Sequence, residues 1–310
     1  MNSINFKYVG LFISIILLTS CSLFTQKQAA DIIGTEGLVM TIGKLPAELY
    51  QGQGLQIPVT LENLGTSDIN GGVLSISGYD ENIVHFRPPV KIEGIQLTGK
   101  TNFIPGGKRT DFFTISSINL PGAKQTKQTF EVVACYLYKT DASPIVCINP
   151  QRVLGKTDIN TQACTFDDAQ ISSSQGAPIA VTKVENWYYL DKNEIEFRIF
   201  VKDVSGKGVA MSQNSYAKRC LGKEALRAED IGMINIEAYL GGQKISCYSV
   251  ENNAETDHFT ILGSTHSVYC RTSLNSNTPA YTTPLTISLS YGYVNLNVFS
   301  IDLKNPQFKP

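Results

Sequence analysis

The residues whose chemistry is easiest to state are six cysteines in the body of the chain: Cys135, Cys147, Cys164, Cys220, Cys247 and Cys270. A seventh, Cys21, stands apart near the start. An even number of thiols in an exported chain reads as a set of disulfides. Zinc sites group their cysteines two to four residues apart. The nearest pair here is twelve apart (147 − 135), so the spacing argues against a metal. Lys139-Thr140-Asp141-Ala142-Ser143 is rich in turn residues and lies between Phe130–Tyr138 and Pro144–Ile148. That stretch reads as a hairpin with Cys135 facing Cys147, and the alternative joins Cys147 onward to Cys164. Cys247 and Cys270 fall in neighbouring strand candidates and are expected to pair. Cys164 with Cys220 then follows by elimination.

Other reactive or sticky groups are fewer. Trp187, Tyr188 and Tyr189 precede Asp191-Lys192-Asn193, a turn sequence. Aromatics at a strand end can stack on a sugar ring or on a partner protein. In a strand, 187 and 189 face one way and 188 the other, so at least one belongs to the core. Tyr281, Tyr291 and Tyr293 form a second group, but the last two share a face with Leu285, Ile287 and Leu289, which favours packing. His85, His258 and His266 are scattered. His258 and His266 could approach across a hairpin, yet Asp257 is adjacent rather than facing, so exposed histidines are expected and no metal. Asp80-Glu81 and Asp167-Asp168 lack the alternating oxygen-ligand spacing of a calcium loop and read as solvated turns. Gly106-Gly107-Lys108-Arg109-Thr110 fails as a phosphate loop, because position 102 is Asn and Arg109 stands where Ser or Thr is needed. There is no G-x-S-x-G nucleophile elbow. The sequence therefore points to a protein that is not an enzyme and needs no cofactor; a hydrolase whose site only folding assembles is the remaining enzymatic alternative.

The 310 residues suffice for two domains of ordinary size. Hydrophobic residues make up 42% and charged ones only 17%, a balance that suits secreted β proteins. A formal net charge of −1 gives no electrostatic case for nucleic acid.

The apolar run Val9–Leu18 follows Lys7 and ends at Leu18-Thr19-Ser20-Cys21. That order is a secretory signal, and the run is about half of the roughly 20 residues a membrane span needs. Its ending resembles the processing site of lipoproteins, which are cut before the cysteine and carry lipid on its sulfur. The resemblance implies a signal peptide over 1–20, lipidation at Cys21 and a polar spacer over 21–32. The rest would be held by the membrane on the extracytoplasmic face, extracellular or periplasmic. An ordinary cleaved signal and an uncleaved anchor are the alternatives.

Strand signals fill the remainder. Leu55, Ile57, Val59 and Leu61 alternate with polar partners, and Pro58 suggests an edge strand or a bulge. Ile195, Phe197, Ile199 and Val201 alternate in the same way before the break at 203–208. Gly241-Gly242 separates Ile234–Leu240 from Lys244–Ser249 as a hairpin turn. Only Lys223–Ile231 favours helix, and it is short. The fold class expected is all-β: two β-sandwich domains, 33–155 and 156–310, divided in the polar segment 151–163. "LQIPVTLENLG" and "IEFRIFVKDVSGKG" resemble the immunoglobulin-like, CARDB-type modules of bacterial and archaeal surface proteins. "CYLYKTDASPIVCINP", "QGAPIAVTKVE" and "AYTTPLTISLSYGY" are similar to uncharacterised envelope-associated proteins of small archaea. The resemblance implies a non-enzymatic binding, adhesion or scaffold role with an envelope protein or glycan as partner, or, alternatively, a carbohydrate-binding accessory lipoprotein using Trp187.

Overall fold

Two long alternating segments frame the molecule. From Gln128 to Ala142 every even-numbered residue is buried, and from Leu285 to Tyr293 every odd-numbered one is. Side chains of a strand point alternately to its two faces, so each segment turns one apolar row to the same side. They pair antiparallel from Ile287 opposite Ala142 to Lys304 opposite Gln125.

The computed structural model describes residues 34–150, 164, 168–189, 191–222, 224–225, 227–249, 253–261, 266–275 and 278–307. The proposed signal, Cys21, the spacer and the dividing segment 151–163 lie outside these. The first strands are β1 (Leu38–Ile42), β2 (Glu48–Tyr50), β3 (Leu55–Asn63), β4 (Ile69–Ser77), β5 (Val84–Arg87) and β6 (Lys91–Leu97). Next come β7 (Lys108–Ile118), β8 (Gln125–Ala142), β9 (Ile145–Ile148), β10 (Ala169–Gln170), β11 (Ile179–Tyr189) and β12 (Glu194–Asp203). The last are β13 (Gly208–Met211), β14 (Met233–Leu240), β15 (Gln243–Tyr248), β16 (His258–Thr260), β17 (His266–Ser273) and β18 (Tyr281–Lys304). The fold is all-β, and no helix among the described residues is long and apolar enough to cross a membrane. Helical turns occur at Gln213–Tyr216, Ala217–Leu221 and Ala228–Asp230, mostly N-terminal to the stretch whose composition favours helix.

One sheet has the order β1-β3-β7-β5, and the other runs β10-β11-β12-β17-β15-β14-β18-β8-β4-β6. The arrangement is sandwich-like. Leu61 and Phe113 of the first sheet share one core with Phe130, Tyr136, Leu289 and Ile301 of the β8–β18 ribbon and with Val181 and Phe197 of β11 and β12. The division expected at 155/156 does not separate the sheets. β18, from the second range, runs beside β8, from the first, and Ile32–Pro310 forms one compact unit. β3 is an interior strand rather than an edge. Pro58 fits because β1 ends at Ile42, opposite Val59. Gly43 donates to the Pro58 carbonyl at 2.9 Å, so the side of Pro58 that lacks an amide hydrogen faces the point where β1 has stopped. The Gly241-Gly242 hairpin is as expected, with φ of 55° and 87°, the left-handed geometry of a two-residue turn.

Four tyrosines tie the layers together. Tyr136 and Tyr138 lie opposite Tyr293 and Tyr291, with ring centroids 5.6 to 6.4 Å apart around the group. Tyr136 Oη accepts from Leu38 N at 3.1 Å, and Tyr138 Oη donates to Asn63 Oδ1 at 3.1 Å. Tyr291 Oη meets Thr140 Oγ1 at 2.9 Å, and Tyr293 Oη donates to Asp203 Oδ2 at 3.0 Å. Tyr291 and Tyr293 are thus core residues, while Tyr281 is 39% exposed. Burial pushes all four phenols of the group above their ordinary value. An unfolded chain sheds these protons from about pH 10 upward, while the folded chain holds them. Their contribution is therefore full below about pH 10 and declines as the pH rises further. Melting temperature should fall across that window, with these phenolates appearing in ultraviolet absorbance only as structure is lost. Complete phenolate titration with the fold intact would contradict this.

The disulfides are Cys135–Cys220, Cys147–Cys164 and Cys247–Cys270. The pair in β15 and β17 is the one expected, the two residues standing directly opposite. The other two correct the Cys135–Cys147 and Cys164–Cys220 reading. There is no hairpin at 139–143: β8 continues to Ala142, and β9 pairs with Tyr281–Pro284 of β18 in the same sense as β8. Cys135 and Cys147 therefore lie along one direction, at about 3.3 Å per residue, instead of across from each other. Cys135 sits on the outer face of β8 in a small cluster with Val73, Met211, Tyr216 and Val294, and the bridge clamps the helical turns onto it. Arg219 Nε donates to Asp230 Oδ2 at 2.7 Å beneath the same segment.

Candidate binding face

The outward side chains of β11, β12, β17 and β15 form rows across the sheet. Register places Glu185 beside Arg198, Arg198 beside Tyr269 and Tyr269 beside Tyr248. The next row is Trp187, Glu196, Arg271 and Ser246. The inward residues Ile195, Phe197 and Ile199 are fully buried, which fixes this register, because a one-residue slip would turn them to solvent.

The two arginines organise the face. Arg198 Cζ lies 4.8 Å from the Tyr269 centroid and 5.5 Å from that of Trp187. Arg271 Cζ lies 5.0 Å from Tyr248 and 5.8 Å from Tyr189. A guanidinium over an aromatic ring is attracted by the ring quadrupole, so each arginine links two rings across the strands of the face. Beneath them, Arg271 Nε donates to Glu196 Oε2 at 2.5 Å, and the Glu196 side chain is only 3% exposed. Tyr189 Oη donates to Glu196 Oε1 at 3.3 Å. Burial, then the Glu196 charge, pushes the Tyr189 phenol up. Lys183 bridges Asp168 at 2.8 Å and Glu185 at 2.7 Å, and those hydrogen bonds, Asp168 first, hold its ammonium above the ordinary value.

Trp187 remains 51% exposed and Tyr189 36%. Tyr188 faces inward, packs on the core and donates from its hydroxyl to the Cys147 carbonyl at 3.1 Å. The aromatic triplet thus divides as strand alternation demands. Arg198, Arg271, Glu196, Tyr248 and Tyr269 were not singled out in the sequence. Their outward positions in alternating strands were legible; their adjacency comes from pairing of distant segments.

Of the remaining candidate groups, His258 and His266 line one cleft beside Glu255. His258 Nδ1 is 2.9 Å from Asp257 Oδ1 on an exposed edge, and His85 is exposed on β5. Asp80 Oδ1 accepts from Asn82 N at 2.9 Å, a local turn. Gly106 and Gly107 lead into β7, and Gly107 N donates to the Thr98 carbonyl at 2.8 Å. Among the described residues no cluster of three or more His, Cys, Asp or Glu could hold a metal.

Fold and face together define an all-β, disulfide-bonded, sandwich-like protein with an aromatic and cationic sheet surface. No family model and no curated protein matches the chain. Among solved structures, a DUF4466 family protein from Parabacteroides merdae is similar over 83% of this chain and 99% of its own, at 8% identity and a TM-score of 0.17.

Proposed function

We propose that this chain is a non-enzymatic binding protein of the cell envelope, tethered on the extracytoplasmic face by lipid on Cys21, with an envelope glycan as its ligand. The observation that carries the reading is the face around Trp187: exposed rings beside the Arg198 and Arg271 guanidinium groups, with carboxylates next to them. Sugar rings present axial C–H groups that pack on aromatic faces, and hydroxyls that hydrogen-bond to guanidinium and carboxylate. The three disulfides support export, because such bridges persist in oxidising compartments. In place of two tandem immunoglobulin-like modules divided at 155/156, the binding unit is one sandwich-like body whose two halves share the β8–β18 ribbon and one core.

Trp187 is the only tryptophan, so its emission reports on the face directly. Envelope glycans titrated into the protein should shift that emission. Trp187→Ala should weaken binding at least about tenfold, the scale of one lost aromatic contact, with little change in melting temperature. Silence across all glycans, or unaltered binding by the variant, would end the glycan reading.

A further inference from the structure

The loop between β6 and β7 carries two large apolar side chains at its tip: Phe103 is 96% exposed and Ile104 59%. The loop is held firmly. Thr101 N donates to the Ile104 carbonyl at 2.9 Å. Thr101 Oγ1 accepts from Phe103 N at 3.3 Å and from Ile104 N at 3.0 Å. At its base, a Cβ on Gly106 would collide with the Asn63 carbonyl, so the chain is tightly seated there. The tip therefore offers apolar side chains while the amide hydrogens of Thr101, Phe103 and Ile104 are already taken. Fewer unpaired backbone groups lower the cost of moving a segment from water toward lipid, and a shallow contact leaves the remaining ones among wet headgroups.

The second observation is location. Gly34, the first described residue, accepts from Gly176 N at 2.9 Å, and the Gly176 carbonyl accepts from Thr66 N at 2.8 Å. Lys100 N donates to the neighbouring Gly65 carbonyl at 2.7 Å. A short chain of backbone contacts thus connects the point where the chain leads back toward Cys21 with the base of the loop. Thirteen residues separate Gly34 from Cys21 (34 − 21), at most roughly 45 Å of chain. A membrane that holds Cys21 is within reach of this end of the molecule.

We infer that the 101–104 loop is a second membrane contact, which inserts Phe103 and Ile104 at the headgroup–acyl boundary and fixes the orientation of the unit on the lipid surface. This rests on the tether reading above. Phe103 supplies a large apolar ring of the kind that interfacial segments bury and Ile104 adds aliphatic area. Lys108 and Arg109 behind the tip are paired with Glu62 and Asp111, and on a vesicle without net charge Lys100 beside the tip finds no opposite field, so insertion there is driven by apolar contact and should be nearly independent of salt.

The test uses the full lipidated chain in phosphatidylcholine vesicles whose acyl chains carry bromine. The Phe103→Trp/Trp187→Phe chain should show blue-shifted emission that bromine quenches, unchanged at high salt. The unaltered chain, reporting from Trp187, should show neither. Phe103 touches almost nothing, so the melting temperature should not move. Emission typical of water and no quenching, with the Cys21 peptide carrying its lipid mass, would overturn the insertion alone. A Cys21 peptide without lipid would overturn the tether, and quenching in that sample would still support the loop.

Discussion

Cys135→Ala/Cys220→Ala should be the most damaging of the three possible bridge deletions, lowering stability by about 4.5 kcal/mol in the chain-entropy model. The bridge spans a separation of 85 residues, against 23 for Cys247–Cys270 and 17 for Cys147–Cys164. In that model the cost rises with the logarithm of loop length, which gives about 3.4 and about 3 kcal/mol for the shorter two. The longest bridge also closes a cluster, since Cys135 and Cys220 are both buried with Val73, Met211, Tyr216 and Val294. Alanine keeps the cluster apolar, so the loss reads mainly the cross-link. Urea unfolding of the three double variants should rank them in order of loop length. If the Cys135–Cys220 variant were the mildest, the helical segment would have to be seated by packing and the Arg219–Asp230 pair alone.

Arg271→Met should cost about 3 kcal/mol, because it strands the Glu196 carboxylate inside the sheet face. Breaking a buried pair from one side typically costs 3–5 kcal/mol. The lower figure applies here because the Arg271 side chain is 24% exposed and water screens part of the charge. Glu196→Leu/Arg271→Met should recover most of that loss, since an apolar pair leaves no charge unpaired. The same double variant should still fail to bind glycan, because Tyr189 and Tyr248 lose the cation that links them. Double-mutant thermal melts alongside Trp187 fluorescence separate the two effects. A double variant as unstable as Arg271→Met would place the cost in lost packing of the arginine stem. Unaltered binding would remove Arg271 from the recognition face.

Trp187 and Tyr188 show how far alternation carries. Period two separates an outward ring from an inward one, and the structure has Trp187 exposed and Tyr188 packed on the core. The same period marks Ile195 to Val201 and Leu285 to Tyr293 as core rows, and they are. Gly241-Gly242 marks its hairpin because only a pair tolerant of positive φ makes that turn cheaply. Lys139–Ser143 shows where such reading stops. Its turn-prone residues stay in strand as far as Ala142, since pairing with Tyr291 and its neighbours across the ribbon outweighs local preference.

The amino-acid sequence by itself determined the all-β class and the inward and outward sides of its strands, because these follow from a period of two; Cys247–Cys270 is an expectation that the register of β15 against β17 meets. Tertiary structure alone decided that Cys135 meets Cys220, that β18 serves both halves, and that Arg198 and Arg271 stand over the rings of Trp187, Tyr189, Tyr248 and Tyr269. Those contacts join residues up to 179 positions apart (304 − 125, Lys304 opposite Gln125 in the ribbon). Local propensity extends over a few residues, whereas the choice of partner strand is set by which apolar faces can be buried together.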